Sequence, residues 1–292
     1  MSGAEQPQVR LLYDSSRRHF SAPGQPRPVR IYLREPAKPI AVPVPLVVVS
    51  HGTGGSGSAM DWLALPLARA GMRVACIDHH GNNFVDGYEP EGFTFGWERP
   101  RDVSFVLDIL GGEQAMGPVG AAGFSFGGFT AAALAGARID PVALAGVFAG
   151  TLPVPEIPEY PGVLAELRKK VPPAELMEAA ERAGDDLSDP RIRAVFQVAP
   201  GWGPFVTAES LAAIRVPVEI RWGEADTIVP YADIEPYLMH IPGVSGRSAG
   251  PRVRHEDYFE PDADPAIRDR AGAEAAAFFV RHLAGGQPVN AR

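Results

Sequence analysis

At residues 121–136 the chain reads AAGFSFGGFTAAALAG. An apolar run ends on a serine, glycines stand on both sides of it, and an Ala-rich helical stretch follows at once. Such a pattern asks for a strand, a turn too tight for Cβ atoms at its glycines, and a helix whose N-terminus points back at the serine. Open α/β sheets bind ligands at the carboxyl ends of their strands. A helix N-terminus there stabilises developing negative charge. A second Gly-x-Ser-x-Gly, GRSAG, surrounds Ser248. No buried run precedes that one, and Pro251 stands where a helix would start. Context therefore assigns the role of nucleophile to Ser125 and withholds it from Ser248.

The rest of the chain alternates between strand-like and helical stretches. VRIYLRE (29–35) reads as an edge strand bounded by prolines, and PLVVVSHG (45–52) as a strand buried on both faces. A helix over 58–71, a strand over 72–81 and a helix over 99–112 follow. The last places Val103, Val106, Leu107 and Leu110 on one face. After the serine turn come a strand at 192–201, a helix at 207–214 opened by Thr207, a strand at 216–226 and a closing helix at 263–285. This rhythm predicts an α/β fold: one domain over 1–292 with a mostly parallel, doubly wound sheet and right-handed crossovers. Residues 151–190 break it. A proline-rich stretch, TLPVPEIPEYPG, leads into charged helical sequence with a Pro-Pro break. We expect an insertion over the sheet, a lid or pocket wall. Its Val163, Leu164, Leu167 and Val171 follow helical spacing and need a surface, part of which Phe124, Trp202 and Phe205 could supply.

Bulk properties exclude several functions. A formal net charge of −8 without a long basic run disfavours nucleic acid and anionic membranes as partners. No stretch reaches the length of a membrane span. The single cysteine, Cys76, excludes a disulfide within the chain. The N-terminus has no apolar h-region, which leans towards a cytoplasmic location. His79 and His80 follow Asp78, but no third ligand stands at metal-binding spacing nearby. We therefore expect structural or pocket-lining roles there, with no metal and no organic cofactor. The loop SHGTGGSGS (50–58) lacks the Lys-Ser/Thr of a nucleotide P-loop and the Gly-x-Gly-x-x-Gly spacing.

A serine hydroxyl needs a base to take its proton and an acid to orient the base. One known chain order on such sheets runs nucleophile, acid, histidine. Of the seven histidines, His255 fits that order, lying after the last expected strand and before the closing helix. EIRWGEADTIVP brings Asp226 to the loop after a late buried strand, with Glu224 as a competitor earlier in the turn. Two N–H donors must meet the developing oxyanion. Phe126, next to the nucleophile, and Thr53, in the glycine-rich loop after an early strand, are the candidates.

Taken together, PLVVVSHGTGGS, GFSFGGFTAAALAGA, DPRIRAVFQVAPG, TAESLAAIRVPVEIRWGEADTIVP and RHEDYF resemble the α/β-hydrolase superfamily. More narrowly they resemble its predicted dienelactone-hydrolase-like group, which shades into the cutinases and polyester hydrolases and the platelet-activating-factor acetylhydrolases. The resemblance covers most of residues 29–284. It implies Ser125 as nucleophile, Asp226 as acid, His255 as base and Thr53 with Phe126 as oxyanion donors. Trp202 falls near the pocket aromatic of polyester hydrolases. Phe124 departs from the His or Trp of many relatives and implies a more apolar pocket. The insertion, longer than in cutinases, speaks against a polymer substrate. The expected activity is cleavage of a small-molecule carboxylic ester, lactone or thioester through an acyl-enzyme. An acyltransferase or cyclase using the same residues is the alternative within catalysis, and a non-catalytic binding protein the alternative outside it.

Overall fold

The computed structural model describes residues 6–154 and 156–284. Eight strands form one sheet: β1 (Gln8–Arg18), β2 (Pro26–Arg34), β3 (Leu46–Ser50), β4 (Arg73–Asp78), β5 (Val119–Phe124), β6 (Ile192–Val198), β7 (Val218–Gly223) and β8 (Ser245–Gly250). Their order across the sheet is β1-β2-β4-β3-β5-β6-β7-β8. The first two pairings in that order, β1 with β2 and β2 with β4, are antiparallel; all others are parallel.

The helices are α1 (Asp61–Arg69), α2 (Glu98–Glu113), α3 (Phe126–Leu134), α4 (Pro141–Ala149), α5 (Val163–Lys170), α6 (Pro173–Ala183), α7 (Ala208–Ala213), α8 (Tyr231–His240) and α9 (Pro265–Leu283). A short helix, Pro90–Thr94, and a two-stranded ribbon of Asn82–Asn83 with Gly87–Tyr88 lie between β4 and α2. Alternation along the central strands splits the core in two. Val47, Val49, Val74 and Cys76 face α1 and α9; Leu46, Val48, Ala75 and Ile77 face α2, α3 and α8. Each buried valine or leucine here contributes about 1.5–3 kcal/mol by leaving water. No helix of the described residues is long and apolar enough to cross a membrane.

Three elements differ from the sequence reading. The stretch at 29–35 is not an edge strand, because β1 pairs outside it. In β1, Val9, Leu11 and Tyr13 face outward and Asp14 is buried, so its alternation is inverted. Main-chain pairing and the Asp14–Arg17 ion pair hold it instead. The second serine motif lies in β8, an edge strand of SGRSAG with no apolar face to announce it. α4, capped by Asp140 through the N–H groups of Val142 and Ala143, also went unread.

The segment 151–190 adds no strand to the sheet among the described residues, and its helices pack into the body of the fold. α5 packs on Pro90–Thr94 and α6 on α4, with Leu167, Leu176, Ala179 and Ala180 in the main core.

Candidate active site

Ser125 joins β5 to α3 with φ 55° and ψ −120°, a left-handed backbone that a non-glycine residue adopts only under constraint. The constraint is visible. Its N–H donates to the Val198 carbonyl at 2.9 Å, and its carbonyl accepts from Gly128 N–H at 2.8 Å and Gly201 N–H at 3.1 Å. The turn has no room for side chains. A Cβ on Gly123 would lie 2.0 Å from the Gly127 carbonyl oxygen, and one on Gly127 would lie 2.0 Å from that of Ser50. No side-chain capping bond engages the Ser125 hydroxyl, and the residue retains 6% of its exposure.

Asp226 sits on the loop after β7. Its Oδ1 accepts the N–H groups of Ile228 at 2.9 Å and Val229 at 2.7 Å, which fixes the carboxylate. Its Oδ2 accepts from His255 Nδ1 at 2.7 Å. With Nδ1–H committed to the carboxylate, Nε2 of His255 carries the lone pair. Both side chains are buried. The ring of Phe124, the residue before the serine, stands 4.7 Å from the His255 ring. The acid and the histidine are thus directly bonded, and the histidine ring packs on Phe124, the residue before the serine. The Glu224 carboxylate instead accepts from Ser248 Oγ at 2.5 Å. That bond also occupies the hydroxyl of the second serine motif.

The loop after β3 runs against the nucleophile, since a Cβ on Gly52 would lie 3.3 Å from Ser125 Cβ. It turns back at Gly55 N–H to the Gly52 carbonyl, 3.2 Å. Among the described residues no backbone acceptor takes the N–H of Thr53 or of Phe126. Both are half or fully buried beside Ser125.

A polar layer behind this loop was not read from the sequence. Asn82 Oδ1 accepts Gly54 N–H at 2.9 Å, and Tyr88 donates to the Gly54 carbonyl at 2.8 Å. Arg99 donates from Nη2 to the His51 carbonyl and from Nη1 to Asn82 Oδ1 at 3.3 Å. His51 bonds the Gly52 carbonyl through Nδ1 at 2.6 Å and accepts His79 N–H at Nε2, 3.2 Å. His79 joins Asp102 Oδ2 at 3.0 Å to Ser50 Oγ at 3.1 Å. Asp102 is further paired with Arg27 at 2.7 Å and Arg17 at 2.8 Å.

Burial works against the charge on Asp102, but Arg27 and Arg17 overcome it and hold the carboxyl well below the usual range. Burial, reinforced by Arg99, pushes His51 well below its ordinary value and His79 down to about 3. Burial with Arg27 does the same to His80, to about 3. His80 Nε2 accepts Phe20 N–H at 3.1 Å. The adjacent histidines are therefore neutral hydrogen-bonding groups. Arg99 and Asp102 continue the α2 stripe of Val103, Val106, Leu107 and Leu110 towards the helix N-terminus, all of them buried. Polar residues on an otherwise apolar stripe were the signal in the sequence.

The three expected pocket residues separate. Phe124 packs under the histidine, 5.4 Å from Tyr258 and 6.1 Å from Trp62. Trp202 stacks on Phe126 at 5.0 Å and 8°, and Phe205 meets it edge-on at 6.1 Å. Phe84, Tyr88, Ile228 and Phe259, on the loops around the serine, are exposed. The segment 151–190 reaches the site through Tyr160, 5.2 Å from Phe93 and 6.5 Å from Tyr88, and through Glu159, whose Cβ would lie 3.1 Å from one on Gly54.

The strand order and the serine raised at the centre of the sheet's carboxyl edge are those of an α/β hydrolase. The alpha/beta hydrolase family model matches residues 46–284, and the chain belongs to that family. Among curated proteins none matches the chain in sequence. Solved structures share its fold. A ferulic acid esterase from Streptomyces cinnamoneus is 20% identical with a TM-score of 0.57, over 97% of this chain and 92% of that one. A dienelactone hydrolase from Anabaena variabilis is 18% identical with a TM-score of 0.54, over 95% and 99%. A puromycin-hydrolysing peptidase from Mycobacterium tuberculosis is 14% identical with a TM-score of 0.57, over 98% of this chain and 41% of that one.

Proposed function

We propose that the protein hydrolyses carboxylic esters of small molecules through an acyl-enzyme on Ser125. One observation carries the reading: a serine on a strained elbow whose preceding residue, Phe124, packs on a histidine that an aspartate holds through Nδ1 at 2.7 Å. In this reaction Ser125 Oγ attacks the ester carbonyl as His255 Nε2 takes its proton. The carbonyl oxygen becomes an oxyanion and receives the N–H groups of Thr53 and Phe126. Collapse expels the alcohol, which takes the proton back from His255, and leaves the acyl group on Ser125. Water then attacks the acyl-enzyme by the same route, releasing the acid and restoring the hydroxyl. Asp226 stabilises the imidazolium formed in each half and holds its tautomer. The esterase and lactone-hydrolase names of the structural neighbours support an ester or lactone substrate. Exposed Phe84, Tyr88, Ile228 and Phe259 favour apolar groups around the ester.

The test is labelling with a fluorophosphonate together with turnover of p-nitrophenyl esters of rising acyl length. Ser125→Ala should abolish labelling and lower the rate by about three orders of magnitude or more. Ser248→Ala should label as the parent does. Labelling that survives Ser125→Ala and is lost in Ser248→Ala would refute the assignment. Product analysis with added alcohols distinguishes hydrolysis from acyl transfer.

A further inference from the structure

Arg99 is fully buried, yet no carboxylate pairs with it among the described ion pairs. Asp102, whose charge favours the Arg99 cation, is itself paired with Arg27, Arg17 and His79. Arg99 Nε has no hydrogen-bond partner among the described residues. The guanidinium donates instead to two neutral oxygens, the His51 carbonyl and Asn82 Oδ1. Asp102 offsets the burial of this cation only in part, and burying a cation that bonds no carboxylate is costly; an apolar side chain of similar volume would stabilise such a position better. The placement of the group therefore calls for a reason other than stability.

That reason lies in what the guanidinium touches. The His51 carbonyl is two residues before Thr53, and Asn82 Oδ1 also holds Gly54 N–H at 2.9 Å, one residue after it. The same guanidinium lies over the ring of Phe126, 4.3 Å from its centroid. Thr53 and Phe126 follow different strands, β3 and β5, and no short covalent path sets the distance between their N–H groups. A single planar side chain, braced by Asn82, spans the two.

We propose that Arg99 is the positioning residue of the oxyanion hole, setting the Thr53 loop against the start of α3; this rests on Ser125 hydrolysis as proposed above. Its contribution belongs to the tetrahedral stage, where both N–H groups must reach one oxygen. The ground-state ester makes no such demand, so the effect falls on kcat rather than KM. Arg99→Gln keeps one donor but loses the fork and the charge. It should lower kcat per active site, counted by fluorophosphonate titration, by about 10- to 100-fold, the scale of a displaced or lost oxyanion donor. KM for p-nitrophenyl butyrate should stay within about threefold, as expected when only transition-state contacts change. Affinity for a trifluoromethyl ketone, which forms a tetrahedral adduct on the serine, should fall in parallel with kcat/KM. Arg99→Lys, which keeps the charge on a single donor nitrogen, should recover part of the loss.

A merely structural arginine would reduce the titratable fraction and leave turnover per titrated site unchanged. That result in folded Arg99→Gln overturns the proposal. If Arg99→Gln does not fold, Asn82→Ala carries the test, because it removes the acceptor shared by Arg99 and Gly54 N–H. It should show the same loss of kcat at constant KM, and unchanged turnover per site would overturn the proposal equally. A parent protein that turns over no ester and does not label at Ser125 overturns the hydrolase reading and this one with it. Normal parent activity with unchanged variants overturns this one alone.

Discussion

Lowering the pH from 7 to 5 should remove several kcal/mol of stability through histidines that the fold keeps neutral. His51, His79 and His80 are buried, and burial is the first cause of their depressed pKa values. In the unfolded chain each takes up a proton near pH 6.5; in the fold none does so until far lower. The unfolded state therefore binds more protons, and stability falls as pH falls below that value. Each such histidine contributes a slope approaching about 1.4 kcal/mol per pH unit, or about 2 kcal/mol between pH 7 and 5. Three of them give roughly 4–6 kcal/mol, a large share of the usual 5–15 for a domain. Asp78, raised by burial, and Asp233, raised by burial and by Asp226, act in the opposite sense. A difference between two proteins removes that offset. His80→Gln should lose about 2 kcal/mol less than the parent over the same interval, since one titrating site is gone. Urea unfolding at pH 5, 6 and 7 reads both slopes. Equal pH dependence in the two proteins would mean that His80 is protonated in the fold, and would refute the reasoning.

Asp226→Asn should lower kcat by several orders of magnitude with the fold intact, because the amide imposes the wrong tautomer on His255. Glu224→Gln should remain near the parent, and the reverse outcome in steady-state kinetics would move the acid to Glu224. Gly127→Ala should destabilise by more than about 2 kcal/mol, since its Cβ meets the Ser50 carbonyl at 2.0 Å. Gly112→Ala, with nothing within 4 Å, should be neutral or gain up to about 1 kcal/mol; urea unfolding compares the two. Removing 151–190 outright would strip Leu167, Leu176 and Ala179 from the core, so a point change serves better. Tyr160→Ala should shift the preferred acyl length of p-nitrophenyl esters, and an unchanged profile would leave the segment without a role in selection.

The neighbourhood of Ser125 was legible because it is local. Strand, glycines, serine and helix are consecutive, and the steric demand of the turn is written in the residues that make it. That Asp226 and His255 would stand on loops after late strands was legible in chain order; that they pair with each other is a matter of the fold. The buried central strands announced themselves by unbroken β-branched runs, and the helices by their apolar period. β1 and β8 escaped because edge strands are held by main-chain pairing: β1 turns Val9, Leu11 and Tyr13 outward, and SGRSAG in β8 has no apolar pattern to read. α4 escaped because an almost wholly apolar helix has no period. The contact between Phe124 and His255 joins residues more than a hundred positions apart, and the brace behind Thr53 joins Arg99 to Asn82, 17 positions away, and to His51, 48 positions away. Their existence depends on which strands are neighbours and which side chains are excluded from water together. The amino-acid order set the local conformations and their sequence of use. Packing across the sheet decided which polar groups met, because a buried charge must find partners wherever the fold places them.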